Sequence, residues 1–136
     1  MCGIAGYLNF RKDPASAAIV RRMTDAIAHR GPDGEGCWVE ENVGLGHRRL
    51  AIIDPSPAGR QPMISRDGQV VLSYNGEIYN FRELRVELEA RGHAFHSHTD
   101  TEVLLDAWVE WGEACVGRLN GMFAFAVWDR DEKKLH

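Results

Sequence analysis

The second residue of the chain is a cysteine, and its position offers chemistry that an internal cysteine lacks. Because Cys2 has a small side chain, removal of Met1 is expected, and the thiol would then share its residue with the chain's α-amino group. A free α-amine has a pKa of roughly 7.7–8.0, so part of it is an unprotonated base near neutral pH. A thiol beside such a base is a nucleophile with its own proton acceptor. The alternative is a cysteine that only opens a first strand, and the stretch taken alone favours that alternative.

The elements around Cys2 can be predicted from the apolar pattern. Residues 2–8 are apolar and small, which predicts a buried strand whose glycines allow another backbone or a ligand to approach closely. Apolar side chains at helical spacing in residues 19–27 predict a helix that ends near His29. The glycine-rich residues 30–36 lack the strand-to-helix context of a phosphate-binding loop, so we interpret them as a shaped turn.

Several short strands are predicted next. Residues 37–40 and 43–47 form a hairpin through Glu41 and Asn42, and residues 50–53 form a third strand. Residues 54–62 contain three prolines and a glycine, which predicts an irregular surface loop.

A β-rich run at residues 69–74 leads directly into Asn75 and Gly76. Between two strands, an Asn-Gly pair is the strongest short signal for a hairpin turn, so a plain turn is one interpretation of this pair. The other interpretation, a functional one, depends on the remaining motifs of the chain.

Two helices are predicted from capping boxes. Asn80 with Glu83 opens the first, and Thr99 with Glu102 opens the second, which Gly112 ends. Each box would satisfy backbone N–H groups that a helix start leaves without a partner.

The last third of the chain is also rich in strand signals. Residues 94–98 are predicted to be extended, and the continuously apolar residues 121–128 predict a strand buried on both faces. Residues 133–136 begin another strand where the sequence stops. We therefore expect a domain that lacks its last strands, with exposed sheet edges or apolar surface where those strands would pack.

Composition excludes several classes of protein. The 136 residues, with 44% hydrophobic and 26% charged residues, are typical of one globular domain or part of one. A net charge of −4 argues against nucleic-acid binding, and no apolar run reaches the roughly 20 residues of a membrane span. No signal peptide is recognised, and Cys2, Cys37 and Cys115 suit neither a metal site nor an even disulfide set. The cytoplasm is the expected compartment, and no metal site is expected at His93, His96 and His98 because their spacing matches no common zinc pattern.

Six motifs in order carry a family resemblance that covers essentially the whole chain. They are Met1 to Gly6 (MCGIAG), His29 to Asp33 (HRGPD), Gly46 to Leu50 (GHRRL), Tyr74 to Asn80 (YNGEIYN), Asp100 to Glu102 (DTE) and Leu119 to Ala126 (LNGMFAFA). Together they resemble the N-terminal glutaminase domain of asparagine synthetase, a class II glutamine amidotransferase of the N-terminal-nucleophile hydrolase fold. The implied fold is α+β, a four-layer α/β/β/α sandwich with two mainly antiparallel sheets face to face.

The resemblance also implies a role for each site residue. Cys2 is the nucleophile, and the Asn75 side chain with the Gly76 N–H forms the oxyanion hole. Further residues bind glutamine: Arg49 takes its carboxylate, Asp100 its ammonium, Leu50, Ala51, Ile52 and Ile53 form a wall, and Glu77 contacts the substrate. Arg30 packs close to the nucleophile, and Asp33 orders its loop. Taken singly, an arginine such as Arg49 is more often a solvated surface residue, and Asp100 is equally well interpreted as a helix N-terminal residue.

The implied reaction proceeds through a Cys2 thioester of glutamine, with release of ammonia and then of glutamate. In the parent enzyme, a synthetase domain absent from these residues uses ATP and Mg²⁺ to make asparagine from aspartate and this ammonia. No cofactor is expected in the chain itself, and a homodimer is one option for its assembly. Two alternatives stay open. In the first, the chain would be a catalytically silent fragment. In the second, it would be the amidotransferase domain of a related synthetase that uses another ammonia acceptor.

Overall fold

The computed structural model describes all 136 residues and contains three α-helices and seven β-strands. In chain order they are β1 (Gly3–Leu8), α1 (Ala17–Ala26), β2 (Gly34–Glu40), β3 (Val43–Arg49), β4 (Met63–Ile64), β5 (Val70–Ile78), α2 (Phe81–Ala90), α3 (Asp100–Trp111), β6 (Gly121–Asp129) and β7 (Lys134–Leu135). Short 3-10 helices lie at Ala28–Arg30, Pro57–Gly59 and Gly112–Arg118. No helix has the length and apolar character needed to cross a membrane.

The strands form two antiparallel sheets that face each other. The first has the order β1-β3-β2 and the second the order β4-β5-β6-β7. Val43 and Leu45 of β3 pack against Val71 of β5 and Trp128 of β6, and all four side chains are buried between the sheets. The interface between the sheets is therefore a small core of its own.

Helix α1 covers the outer face of the first sheet, and the sequence of β3 explains how closely it lies. Side chains alternate along a strand, so Val43 and Leu45 face the second sheet while Gly44 and Gly46 face the helix. A Cβ atom at Gly44 would lie 2.5 Å from Val20, and one at Gly46 would lie 2.5 Å from Thr24. Only glycine at these positions lets α1 pack directly on the backbone of β3.

Helices α2 and α3 cover the outer face of the second sheet. Leu72 and Ile78 of β5 pack in one core cluster with Leu88 of α2 and with Leu104 and Trp108 of α3. The predicted α/β/β/α order of layers is thereby confirmed, as is the hairpin of β2 and β3, although both of its strands are longer than predicted.

The predicted strand at residues 50–53 is wrong, since β3 ends at Arg49. The reason is that side chains take the peptide groups that a strand partner would use. The Leu50 N–H donates to Cys2 Sγ at 3.3 Å, and the Ala51 N–H donates to the Asp33 carboxylate at 2.9 Å. These contacts turn the segment out of the sheet.

The capping boxes are confirmed only in part. Asn80 does not cap α2, because its side chain donates to the Arg118 carbonyl at 2.9 Å and accepts from the Asn120 N–H at 2.8 Å. Thr99 does cap α3 by accepting from the Glu102 N–H at 3.2 Å. The Glu102 carboxylate, however, accepts from the N–H groups of His96 and Ser97 rather than closing the box.

Two further strand predictions need correction. Residues 94–98 form no strand, because side chains of neighbouring elements bind their backbone instead. Strand β6 is not buried on both faces, since Met122 is 64% exposed and Ala124 is also exposed. The first sheet covers the inner face of β6 only near Trp128, so an apolar composition did not guarantee burial at the other end.

Candidate active site

A pocket of about 180 Å³ lies where the N-terminus, the segment after β3, the end of β5 and the start of α3 meet. It gathers most of the predicted site residues, and its lining includes Cys2, Arg49, Leu50, Ala51, Ile52, Ile53, Gly76, Glu77 and Asp100. These residues come from both sheets and from a helix, so only the packing of the layers brings them together.

The Cys2 side chain is held at the edge of the first sheet, just before β1. Its Sγ accepts the Leu50 N–H at 3.3 Å, and its S–H points to the Leu50 carbonyl at 3.6 Å. The Arg30 Nε donates to the Cys2 carbonyl at 3.0 Å, so the backbone of Cys2 is also anchored. Asp33, through the Ala51 N–H, orders the pocket wall next to Leu50. Arg30 and Asp33 thus act around the pocket without lining it.

The Arg49 guanidinium is fixed against the loop that follows it. Its Nη1 donates to the Ser56 carbonyl at 2.8 Å, and its Nη2 donates to the Asp54 carbonyl. Gly59 permits this position, because a Cβ atom there would lie 2.2 Å from Nη2. A guanidinium carries five N–H groups, so donors remain for an anionic ligand in the pocket.

Asp54 holds the same loop in place through its side chain. The buried carboxylate accepts from the Ser56 N–H at 2.8 Å and from the His98 N–H at 3.0 Å. Hydrogen bonds from Ser56 and from the His98 backbone lower the pKa of Asp54 to about 2. The loop that presents carbonyls to Arg49 is thereby tied to the segment leading into α3.

Asp100 is a buried carboxylate at the first residue of α3. Its Oδ2 accepts from the Tyr74 hydroxyl at 2.6 Å and from the Ile78 N–H at 3.1 Å. Burial, followed by the hydrogen bond to Asp100, raises the pKa of Tyr74, so the phenol stays a neutral donor. One carboxylate oxygen is therefore held by β5, and the other is available to a cationic group in the pocket.

Gly76 presents its N–H to the pocket. Alternate peptide groups of a strand point to the same edge, so the N–H groups of Tyr74, Gly76 and Ile78 share one edge of β5. Gln61 accepts the first, at 2.6 Å, and Asp100 accepts the last. Strand β4 pairs only with Val71 and Leu72, so no strand covers this edge at Gly76. The Gly76 N–H is therefore a free donor that faces the pocket, between the N–H groups of Tyr74 and Ile78, which already have acceptors.

Asn75 and Gly76 lie inside β5, opposite Ala124 and Phe123, so the hairpin interpretation of this pair is wrong. A Cβ atom at Gly76 would lie 2.3 Å from the Met122 carbonyl, which explains the glycine. The Asn75 side chain points to the other face of the sheet from Tyr74 and does not line the pocket. Its Oδ1 is buried without a hydrogen-bond partner.

Several pocket residues had not been predicted as site residues from the sequence. Gln61, Thr99 and Thr101 line the pocket, as do Tyr74, Asp54 and Gly59. Tyr74 and Thr101 lie within motifs of the family resemblance, which is the only signal that could have indicated them. Gln61 and Gly59 lie in the proline-rich loop, where neither periodicity nor a motif marked them.

Comparison with known proteins agrees with this architecture. The sequence matches the family model of the glutamine amidotransferase domain over residues 1–136. It is 48% identical over 138 aligned residues to glutamine-hydrolysing asparagine synthetase 3 of Bacillus subtilis (strain 168), covering 99% of this chain and 22% of that protein. Glutamine-hydrolysing asparagine synthetase of Zea mays is 40% identical over 134 residues, covering 98% of this chain and 22% of that protein.

A solved structure resembles the fold as well. Glutamine phosphoribosylpyrophosphate amidotransferase from B. subtilis superposes with a TM-score of 0.72, covering 95% of this chain and 35% of that chain at 21% identity. This likeness concerns the fold alone, whereas the family model matches the sequence from end to end. The chain belongs to the glutamine amidotransferase domain family.

Proposed function

We propose that this chain hydrolyses the side-chain amide of glutamine with Cys2 as the nucleophile. The observation that carries the proposal is one pocket that joins the Cys2 thiol, the Arg49 guanidinium, the Asp100 carboxylate and the free Gly76 N–H. The thiol would attack the side-chain amide carbon of one glutamine molecule, and the guanidinium and the carboxylate would bind its α-carboxylate and its α-ammonium. The Gly76 N–H would face the oxyanion that develops on the amide oxygen.

Substrate binding would use charges that are already fixed in place. Arg49 suits the substrate carboxylate because a guanidinium binds a carboxylate through two parallel hydrogen bonds. Asp100 would accept from the substrate ammonium, with Glu77 as a second acidic group of the pocket. Leu50, Ala51, Ile52 and Ile53 would enclose the substrate on one side. Because the protein holds Arg49 and Asp100 before glutamine arrives, little ordering is left for the binding step.

Hydrolytic removal of Met1, which lines the pocket next to Cys2, would have to precede the reaction. Its loss would open the pocket and create the α-amine that accepts the thiol proton. Sulfur then attacks the amide carbon, and negative charge develops on the amide oxygen. The Gly76 N–H would stabilise this charge, and one such donor is worth about 3–4 kcal/mol of barrier.

The tetrahedral intermediate collapses by breaking the carbon–nitrogen bond. The α-amine delivers the proton to the leaving nitrogen, ammonia departs, and a γ-glutamyl thioester on Cys2 remains. Water then attacks the thioester carbon, and the sulfur leaves and is reprotonated. Glutamate and the free thiol are the products, so atoms and charges balance without an added cofactor.

A larger enzyme is part of the proposal, with residues 1–136 as part of its glutaminase domain. The chain spans 22% of the length of the two asparagine synthetases that it matches. These relatives are named glutamine-hydrolysing asparagine synthetases, which supports asparagine synthesis as the use of the ammonia. Aspartate, ATP and Mg²⁺ as the other reactants of a synthetase domain are part of our proposal. A cytoplasmic location fits the three free cysteines of the chain.

The direct test exposes the purified protein to an electrophilic glutamine analogue and measures its intact mass, followed by peptide mapping. We expect a chain without Met1 that carries one adduct on Cys2, and excess glutamine should prevent this labelling. Cys2→Ala should abolish both labelling and glutamate release, whereas Cys37→Ala should retain both. Chains that lack Met1 but form no adduct would refute the proposal and favour a catalytically silent domain.

A further inference from the structure

The Gln61 side chain occupies the place of a strand partner beside the pocket. Strand β4 pairs with β5 through Met63 opposite Leu72 and Ile64 opposite Val71. Continued toward the pocket, this register brings Gln61 opposite Tyr74. The Gln61 main chain instead lies against β2, where a Cβ atom on Gly36 would be 1.8 Å from the Gln61 carbonyl oxygen. The Tyr74 N–H is therefore accepted by the Gln61 side-chain Oε1, at 2.6 Å, and not by a main-chain carbonyl of a partner strand.

The other end of the Gln61 carboxamide reaches a different layer of the fold. Its Nε2 donates to Thr101 Oγ1 at 3.3 Å, and both residues are buried. Thr101 follows Asp100 in the first turn of α3. A single carboxamide therefore connects the strand that carries Gly76 with the helix that carries Asp100.

The carbonyl of Tyr74 is held in a similar way from the first sheet. The fully buried His47 on β3 donates Nε2–H to the Tyr74 carbonyl at 3.1 Å. Both polar groups of Tyr74 that would face a neighbouring strand are thus bonded to side chains. The Gly76 N–H lies two residues further along the same edge of β5.

We propose that Gln61 is a positioning residue for the glutaminase reaction, which sets the Gly76 N–H relative to Asp100 by bridging Tyr74 and Thr101. The inference rests on the proposed function of the pocket. Donors at an oxyanion act strongly only when they are preset, and a misplacement of about 1 Å can cost about 100-fold in rate. Loss of the bridge should consequently slow the chemical step more than it weakens glutamine binding.

The test replaces Gln61 by methionine, which has a similar length and shape but offers no comparable hydrogen bonds. We expect Gln61→Met to lower kcat for glutamine hydrolysis by about 10- to 100-fold, with KM changed less than about threefold. Thr101→Val removes only one end of the bridge and should have a smaller effect on kcat. Leu88→Val, on the buried side of α2, controls for a general loss of stability and should leave kcat unchanged.

An amide hydrogen-exchange measurement by NMR makes the result independent of turnover. In Gln61→Met, the Tyr74 amide hydrogen should exchange with solvent much faster than in the unsubstituted chain. The resonance of the Gly76 amide should also shift. An unchanged Tyr74 amide, or unchanged kcat in Gln61→Met, would overturn the positioning role. A parent chain that shows the protected Tyr74 amide but no glutamine hydrolysis would refute the proposed function instead.

Discussion

The Tyr74 hydroxyl donates a 2.6 Å hydrogen bond to Asp100 Oδ2, joining the second sheet to the start of α3 inside the pocket. Both groups are buried, and the same oxygen also accepts the Ile78 N–H. The carboxylate that would bind the substrate ammonium is thus oriented by the strand that also carries Gly76. In the proposed reaction, ammonium binding and oxyanion stabilisation would therefore both depend on groups held by β5.

Tyr74→Phe removes this hydrogen bond and leaves the ring in the core. We expect the free energy of unfolding to fall by about 1.5–3 kcal/mol, since the bond is made to a charged group. KM for glutamine should rise several-fold because Asp100 loses one of its two positioning donors. Urea unfolding and steady-state kinetics measure the two effects.

Tyr7→Phe is the matched control, because the Tyr7 hydroxyl accepts from the Ser16 N–H at 2.6 Å away from the pocket. This variant should lose stability without a change in KM. An equal rise of KM in both variants would contradict the role given to the Tyr74–Asp100 hydrogen bond.

Arg49→Lys keeps the charge but removes the planar donor. A lysine has three N–H groups and no planar fork, so it cannot bind the Asp54 and Ser56 carbonyls and also give a carboxylate two parallel hydrogen bonds. We therefore expect KM for glutamine to rise about tenfold or more. Arg48→Lys alters a neighbouring arginine that pairs with Asp25 and Glu35 on the outer face, and it should leave KM unchanged. Steady-state kinetics with varied glutamine concentration measures both KM values. An equal KM in the two variants would show that Arg49 does not bind the substrate carboxylate.

Gly59→Ala tests whether the position of Arg49 matters as much as its charge. The added methyl group would come within 2.2 Å of Arg49 Nη2 and displace the guanidinium. We expect KM for glutamine to rise several-fold, with kcat less affected. Gly117→Ala serves as the control, because a Cβ atom there meets nothing within 4 Å. Binding of glutamine as tight as in the parent chain would disprove the steric role of Gly59.

His47 predicts how stability depends on pH. The pKa of His47 falls from 6.5 to about 4 in the folded chain, mainly because the side chain is buried. The hydrogen bond to Tyr74 raises this pKa, and the positive charge of Arg49 lowers it further. Between these two values the unfolded chain binds the proton and the folded chain does not. The part of the stability that depends on a neutral His47 is therefore fully present above pH 6.5 and is lost as pH falls toward 4, by about 3 kcal/mol in total.

Urea unfolding at a series of pH values between 7 and 4 measures this loss. His47→Gln retains a donor for the Tyr74 carbonyl but cannot be protonated, so its stability should vary much less over the same range. Equal pH dependence in the two chains would assign the effect to other groups. The shifted carboxylates Asp54 and Asp67 act mainly below their ordinary value of 3.8 and so contribute little in this range.

The amino-acid sequence by itself determined most of the helices and longer strands and much of the candidate site. Alternating and helical apolar patterns are local properties, so β1, α1, the β2–β3 hairpin and α3 could be predicted from neighbouring residues. The alternation of valine or leucine with glycine in β3 already encoded a face for the core and a face for a closely packed helix. Cys2, Arg49, Gly76 and Asp100 could be named from motifs because each motif is short and continuous.

Only the tertiary structure decided how distant segments satisfy one another's polar groups. Residues 50–53 are apolar enough for a strand, yet Cys2 and Asp33 accept the N–H groups of Leu50 and Ala51, and the segment forms a pocket wall instead. Asn80 has the residue type of a helix cap, yet its side chain binds residues 118 and 120. Gln61 has no local signal, because its two partners lie 13 and 40 residues away. Hydrogen bonds between such distant residues form only after the four layers pack, so no local pattern could predict them.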